Sequence, residues 1–263
     1  MTQYFFLSSL LLEQSFVDSS LINFDDLDNL LLLNLEKKDY QKWIILKRFF
    51  DLENFAFLWA QKTIIHSFGE VTQFNGEQLL LEGCWSNYDL FEDFFLDFLN
   101  IYQTNDLRLL NYSVLVRSFL SYYQDYDFFF SKYFGFKMDL RIILAGYRAK
   151  NLGLDISYVL REEDAQDSIV YQVLMQKDTQ VFDPPLEYMD LKPIFDEFKH
   201  NPIALRQALI NYEKIKLEDM FESDYFSSYL ILSRAVGYLL TYKHELKNSK
   251  EGEEKMDIIT GIR

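Results

Sequence analysis

Apolar residues recur at helical spacing along most of the chain. From Asn87, the positions Leu90, Phe91, Phe94, Phe95, Phe98, Leu99 and Tyr102 form one stripe, with Asp89, Asp93, Asp97 and Asn100 opposite. That pattern predicts a helix resting on a core, with Asn87 as its cap. A second helix is predicted from Thr104 or Asn105 towards Tyr123, carrying Leu107, Leu110, Val114 and Phe119. A third opens with Asn201 as cap and Pro202 at the first helical position. The longest is expected from about Asp224 to Asn248, with lysines near its end to suit the negative pole of the dipole. Two stretches resist helical periodicity. Residues 67–83 hold three glycines and read as a loop, and the charged run 251–254 reads as a frayed tail.

Proline placement sharpens this picture. All four prolines fall between Pro184 and Pro202, so the first 183 residues contain none. Uninterrupted helix is therefore permitted over most of the chain. The Pro184-Pro185 pair cannot sit inside a helix and predicts a joint between two helical blocks. With only 9 glycines against 25 Phe and 18 Tyr, turn material is scarce and large apolar side chains abound. The expected fold is all-α, in two or three linked helical bundles. The divisions are an N-terminal bundle over 1–134, a central helix and connection over 135–186, and a C-terminal bundle over 187–263. In the two-bundle alternative the last two form one block.

Charge narrows the function classes. The chain carries 26 basic and 41 acidic side chains, a net of -15. Such a surface repels phosphates, so nucleic-acid binding and docking on anionic lipid are not expected. Basic residues concentrate late: residues 1–136 hold 9 and residues 137–263 hold 17. The single cysteine, Cys84, excludes an internal disulfide and a multi-cysteine zinc site, and fits a reducing compartment. The first twelve residues lack a basic leader and a small-residue cleavage site, and no stretch approaches the ~18 apolar residues of a membrane span. A cytoplasmic protein without direct membrane insertion is expected.

The search for reactive groups returns little. Glycine-rich phosphate cradles are absent, and His66, His200 and His244 stand far apart, outside any close-spaced ligand set. Asp25, Asp26 and Asp28 lack the sixth-position glycine and terminal glutamate of a calcium loop and read as an acid-rich helix start. Phe128 to Phe130 and the Tyr122-Tyr123 pair lack a basic surround and read as packing aromatics rather than base-stacking platforms. No catalytic, cofactor-binding or metal-binding residue is expected. The enzyme alternative assembles a site from Glu162, Glu163 and Asp167 with His200.

Two passages carry a resemblance. Met138 to Leu154 reads Met-Asp-Leu-Arg-Ile-Ile-Leu-Ala-Gly-Tyr-Arg-Ala-Lys-Asn-Leu-Gly-Leu, and Phe50 to Phe55 reads Phe-Asp-Leu-Glu-Asn-Phe. They resemble motif helices of the central-stalk d-type subunit of V/A-type ATP synthases. Asp139 stands where that motif has asparagine, and 263 residues are few for the three bundles of the d-type fold. The whole chain more closely resembles a shorter bacterial family associated with V-type ATP synthase genes. The shared features are Tyr4 to Leu10, Asp183-Pro184-Pro185, and Asp224-Tyr225-Phe226.

The resemblance implies an elongated or funnel-like non-catalytic part of the ATPase, peripheral on the inner membrane through that complex. Its partners would be the shaft and membrane-ring subunits, between which it acts as a socket. The implied motif or interface residues are Asn54, Asp139, Arg141, Arg148 and Lys150. On the helix, Arg141 and Arg148 align two turns apart. Arg148 or Lys150 then contacts an acidic partner surface, or the basic residues pair internally with acids of the first half. Adaptor or regulator of the same complex, and an unrelated scaffold for a partner helix, are the alternatives.

Overall fold

A computed structural model describes residues 4–16, 23–72, 75–78, 92–222 and 226–248. Every regular element among them is helical. The α-helices are, in chain order, α1 (Phe5–Phe16), α2 (Phe24–Asn34), α3 (Lys37–Trp59), α4 (Asp93–Ile101), α5 (Asn105–Leu110) and α6 (Tyr112–Gln124). They are followed by α7 (Phe128–Leu152), α8 (Ile156–Val159), α9 (Ser168–Leu174), α10 (Leu191–Phe198), α11 (Pro202–Phe221) and α12 (Ser228–Asn248). No helix among the described residues is long and apolar enough to cross a membrane.

The chain forms two compact units: one from residues 1–119 with 210–263, the other from residues 120–209. These edges fall inside α6 and α11, whereas composition suggests divisions at 134/135 and 186/187. Position 134 lies within α7, which runs 25 residues through the motif and is longer than α12, with 21. The Pro184-Pro185 pair lies within the second unit, and both rings are buried there.

In the first unit, α3 is the central element. Trp43, Leu46, Phe50, Phe55, Leu58 and Trp59 are all buried, and no residue from Trp43 to Trp59 is exposed. A helix covered on every side, with Lys47, Asp51 and Asn54 buried on it, needs polar partners as well as apolar ones. Its aromatics meet those of other elements: Phe55 lies 4.9 Å from Phe95, and Phe49 lies 5.6 Å from Phe119. Helix α2 begins at Asn23, whose side chain accepts from the Asp26 amide, with Asp25 and Asp26 in the first turn. Asp28, read in sequence with that acid-rich start, instead reaches α3. It accepts hydrogen bonds from Trp43 Nε1 at 2.7 Å, Tyr40 Oη at 3.2 Å and Lys47 Nζ at 3.1 Å.

Long-range polar contacts close this unit. The Tyr4 amide donates to the Phe226 carbonyl at 2.9 Å, and Tyr4 Oη donates to Asp39 Oδ2 at 2.7 Å. Arg234 on α12 donates to the Ser8 carbonyl of α1. Burial pushes the Asp39 carboxyl up, but hydrogen bonds from Tyr4 and Lys42 outweigh it and hold it below the usual carboxylate range.

The second unit is organised on α7. Asp127 caps it by accepting from the Phe130 amide, and Gly153 ends it in the left-handed conformation at φ 68°. The Leu154 amide then returns to the Ala149 carbonyl at 2.8 Å and the Gly153 amide to that of Lys150, which closes the helix end. Of the aromatics expected to pack, Phe129, Phe130 and Tyr123 are buried, whereas Phe128 and Tyr122 are exposed. Gly146 is the point of close approach: a Cβ there would lie 2.5 Å from Val173 on α9. Tyr147 stacks on Phe195 of α10 at 4.0 Å.

Helix α5 begins where a start is expected, and the predicted cap of α11 is present. Thr104 accepts from the Leu107 amide, and Asn201 accepts from Ala204 ahead of Pro202. The helix predicted from Thr104 to Tyr123 is divided at Asn111. The Asn87 cap, Asp224-Tyr225, Cys84 and the 251–254 tail lie outside the described residues.

Candidate functional site

The first motif lies on the buried face of α3. Asp51 and Asn54 are one turn apart, and both are buried. Asp51 Oδ2 accepts from the Glu70 amide at 2.8 Å, while Oδ1 accepts from the Val71 amide at 3.1 Å and from Asn54 Nδ2 at 3.1 Å. Asn54 Nδ2 also donates to the Val71 carbonyl at 3.2 Å. The pair therefore clamps the non-helical segment 69–71 onto α3. Gly69 is required here, because a Cβ on it would sit 2.0 Å from the Asp51 carboxylate. Burial pushes the Asp51 carboxyl up to about 6, against the pull of the two backbone amides.

The intervening motif residue, Glu53, meets His66 Nε2 through Oε2 at 3.1 Å and pairs with Lys243 of α12. His66 is itself stacked on Phe68 at 4.4 Å. Beside this clamp is a cavity of about 30 Å³, lined by Arg48, Asp51, Phe55, Glu70, Glu92 and Phe119 among others. That is room for about a water molecule rather than an organic substrate. Arg48 and Glu92 are ion-paired across it at 2.8 Å.

The second motif places its polar residues around α7. Asp139 accepts from Tyr188 Oη at 2.6 Å, and burial raises its carboxyl despite that bond. Arg141 makes a bidentate pair with Glu163, both contacts at 2.8 Å. Lys150 Nζ donates at 2.6 Å to the carbonyls of Lys177 and Thr179. Arg148 is exposed and makes no hydrogen bond or ion pair among the described residues. Of the five motif residues, Asn54, Asp139, Arg141 and Lys150 are thus committed to internal contacts. The expectation that the α7 basic residues pair with acids of the first half is corrected: Arg141 takes Glu163, twenty-two residues downstream, and Lys150 takes backbone carbonyls.

The groups of the enzyme alternative are not assembled into one site. Glu163 holds Arg141, and Asp167 caps α9 by accepting from the Ile169 and Val170 amides. Glu162 sits at the surface against Arg161, and His200 is exposed. Among the described residues, no group of three His, Cys, Asp or Glu side chains could hold a metal ion. Sequence reasoning missed Tyr188, the reach of Asp28 to α3, and the amides of 70 and 71. Their partners are 12 to 49 residues away, and no local spacing signals them.

Comparison with known proteins places relatives across the full length. A family described as "Protein of unknown function (DUF2764)" matches residues 1–262. A protein of Chlamydia trachomatis serovar D, described as "Uncharacterized protein", is 45% identical over 265 residues, covering 100% of both chains. One from Chlamydia pneumoniae is 45% identical over 255 residues, covering 97% of this chain and 96% of its own. No solved structure matches.

Proposed function

The chain belongs to the DUF2764 family; from the resemblance of its two motif passages, we propose that it is a non-catalytic component of a bacterial V-type ATP synthase. In this reading it is a helical socket at the cytoplasmic side of the complex, between the rotor shaft and the membrane ring. Such a part must transmit force, so it needs stiff helices and charged groups left over for partners. Helical packing with large aromatic contacts supplies the stiffness.

The supporting observation is the different use of three basic groups on one helix. Arg141 and Lys150 hold α7 against its neighbours, whereas Arg148 points to solvent without a partner among the described residues. An exposed guanidinium fixed on a rigid helix is suited to a carboxylate on another protein, in a bidentate pair.

A pull-down from native membranes with the full chain tests the reading. The catalytic and shaft subunits of the ATPase are expected with the wild-type chain and are expected to be depleted with Arg148→Glu. Repeated recovery of the chain without those subunits would remove the assignment.

A further inference from the structure

We propose that the corner where α4 meets α5 is a docking surface for a basic amphipathic helix of another protein. It lies in the first unit, away from the α7 motif, and it needs only the local surface rather than the V-type reading.

Three large apolar side chains are open to water between Ile101 and Leu110. Ile101, the last residue of α4, is 68% exposed, and Leu107 and Leu110 on α5 are 43% and 77% exposed. Apolar groups of this size so close together mark an interaction surface rather than scattered exposure. Arg108 draws the two helices onto one corner. Its Nε donates to the Tyr102 carbonyl at 2.8 Å and its Nη1 to Asn105 Oδ1 at 3.2 Å, while the guanidinium carbon stands 5.9 Å from the centre of the buried Trp59 ring. Tyr102 packs on Phe98 at 4.8 Å, and Thr104 caps α5 through the Leu107 amide. A surface fixed before binding loses little conformational entropy when it is occupied.

Charge selects the occupant. From Thr63 to Leu107 the chain holds eight acidic residues and no Lys or Arg. Asp97 stands one turn before Ile101 and Asp106 one turn before Leu110, so two of the apolar side chains have a carboxylate on their own helix face. Asp93 precedes Asp97 by a further turn. All three carboxylates are exposed and make no hydrogen bond or ion pair among the described residues. The neighbouring arginines do not offset them. Arg108 is turned inward, Arg48 is paired with Glu92, and Arg117 has an interaction of its own. Lys62, just past the end of α3, leaves three carboxylates to one ammonium along this part of the chain. A phosphate-rich or acidic segment is therefore repelled here, and an apolar segment carrying Lys or Arg is accepted. A helix with apolar residues at i, i+4 and i+7 and basic residues along both edges fits both features.

The test uses the purified full chain with p-benzoylphenylalanine in place of Ile101 or Leu110, incubated with native membranes and cytosol and irradiated. Leu152, which is 72% exposed in the other unit, serves as the control position. The expected adducts at 101 and 110 map to one amphipathic, net-positive segment of another protein, and that segment is not captured at 152. Their yield falls about tenfold in an Asp97→Lys, Asp106→Lys background. In the chain with both carboxylates intact, added salt lowers the yield as well, a measurement that does not depend on the folding of the variant. The proposal is overturned by no adduct at either position, by an adduct to an acidic or uncharged segment, to a second copy of this chain or to lipid, or by a yield that ignores salt. If the mapped segment belongs to a protein outside the ATPase, the docking surface stands and the V-type reading fails. Co-purification of the ATPase without any adduct has the opposite meaning.

Discussion

Asp51 is the residue on which the first motif turns. Its carboxyl titrates at about 6 in the folded chain, against 3.8 for an ordinary aspartate. A raised value means that the folded state binds the proton more tightly than the unfolded state. The stability gained is therefore complete below about pH 3.8 and is lost as pH rises through about 6. The difference between the two values corresponds to about 3 kcal/mol. Asp51→Asn cannot titrate, so its stability relative to wild type should improve by about that amount between pH 4 and 7. Urea unfolding at a series of pH values measures this, and parallel curves would refute the buried-carboxyl account. The same carboxylate dictates Gly69. Gly69→Ala should cost about 2 kcal/mol or more in the wild type, and markedly less in an Asp51→Ala background. A double-mutant cycle that came out additive would show that the two residues do not meet.

Helix α7 offers a comparison within one element. Gly135 and Gly146 both lie in its interior, but their surroundings differ. A Cβ at 135 would meet only Gln124 at an ordinary 3.5 Å, whereas one at 146 would press into Val173 and Phe182. Gly135→Ala should therefore stabilise by up to about 1 kcal/mol through helix propensity. Gly146→Ala should destabilise by about 1–3 kcal/mol through overpacking. Thermal unfolding of the two variants, followed by circular dichroism, should move in opposite directions. Much of the element level was legible in the sequence because caps are local. Thr104 and Asn201 before Pro202 act through residues within a few positions of themselves, so spacing alone finds them. The division of α5 from α6 at Asn111 was not legible, since the apolar stripe runs on across it. The motif residues stood out by resemblance, but their roles did not. Asn54 is explained by the 69–71 segment, Arg141 by Glu163 and Asp139 by Tyr188, and these pairings exist only once the chain has folded.

At the scale of the molecule, the first unit is discontinuous in sequence. Helix α12 supplies buried Leu230, Ile231, Leu232, Val236 and Leu239 to a unit whose other helices come mainly from the first 119 residues. A chain ending at residue 222 should therefore lose amide-exchange protection in α1 and α3 while keeping it in α7 and α9. Uniform loss across both units would mean that they are not separately organised. The edges were hidden from sequence reading because proline and glycine mark local breaks, whereas unit membership follows from which distant surfaces bury one another. This arrangement also constrains how the chain is made. At ~5–20 residues per second, the ribosome needs on the order of ten seconds between releasing α3 and releasing α12. During that interval the aromatic flank of α3 is without its last covering helix, while residues 120–209 have already emerged. The nascent chain should therefore be a chaperone client through its early segment and mature from the middle outwards.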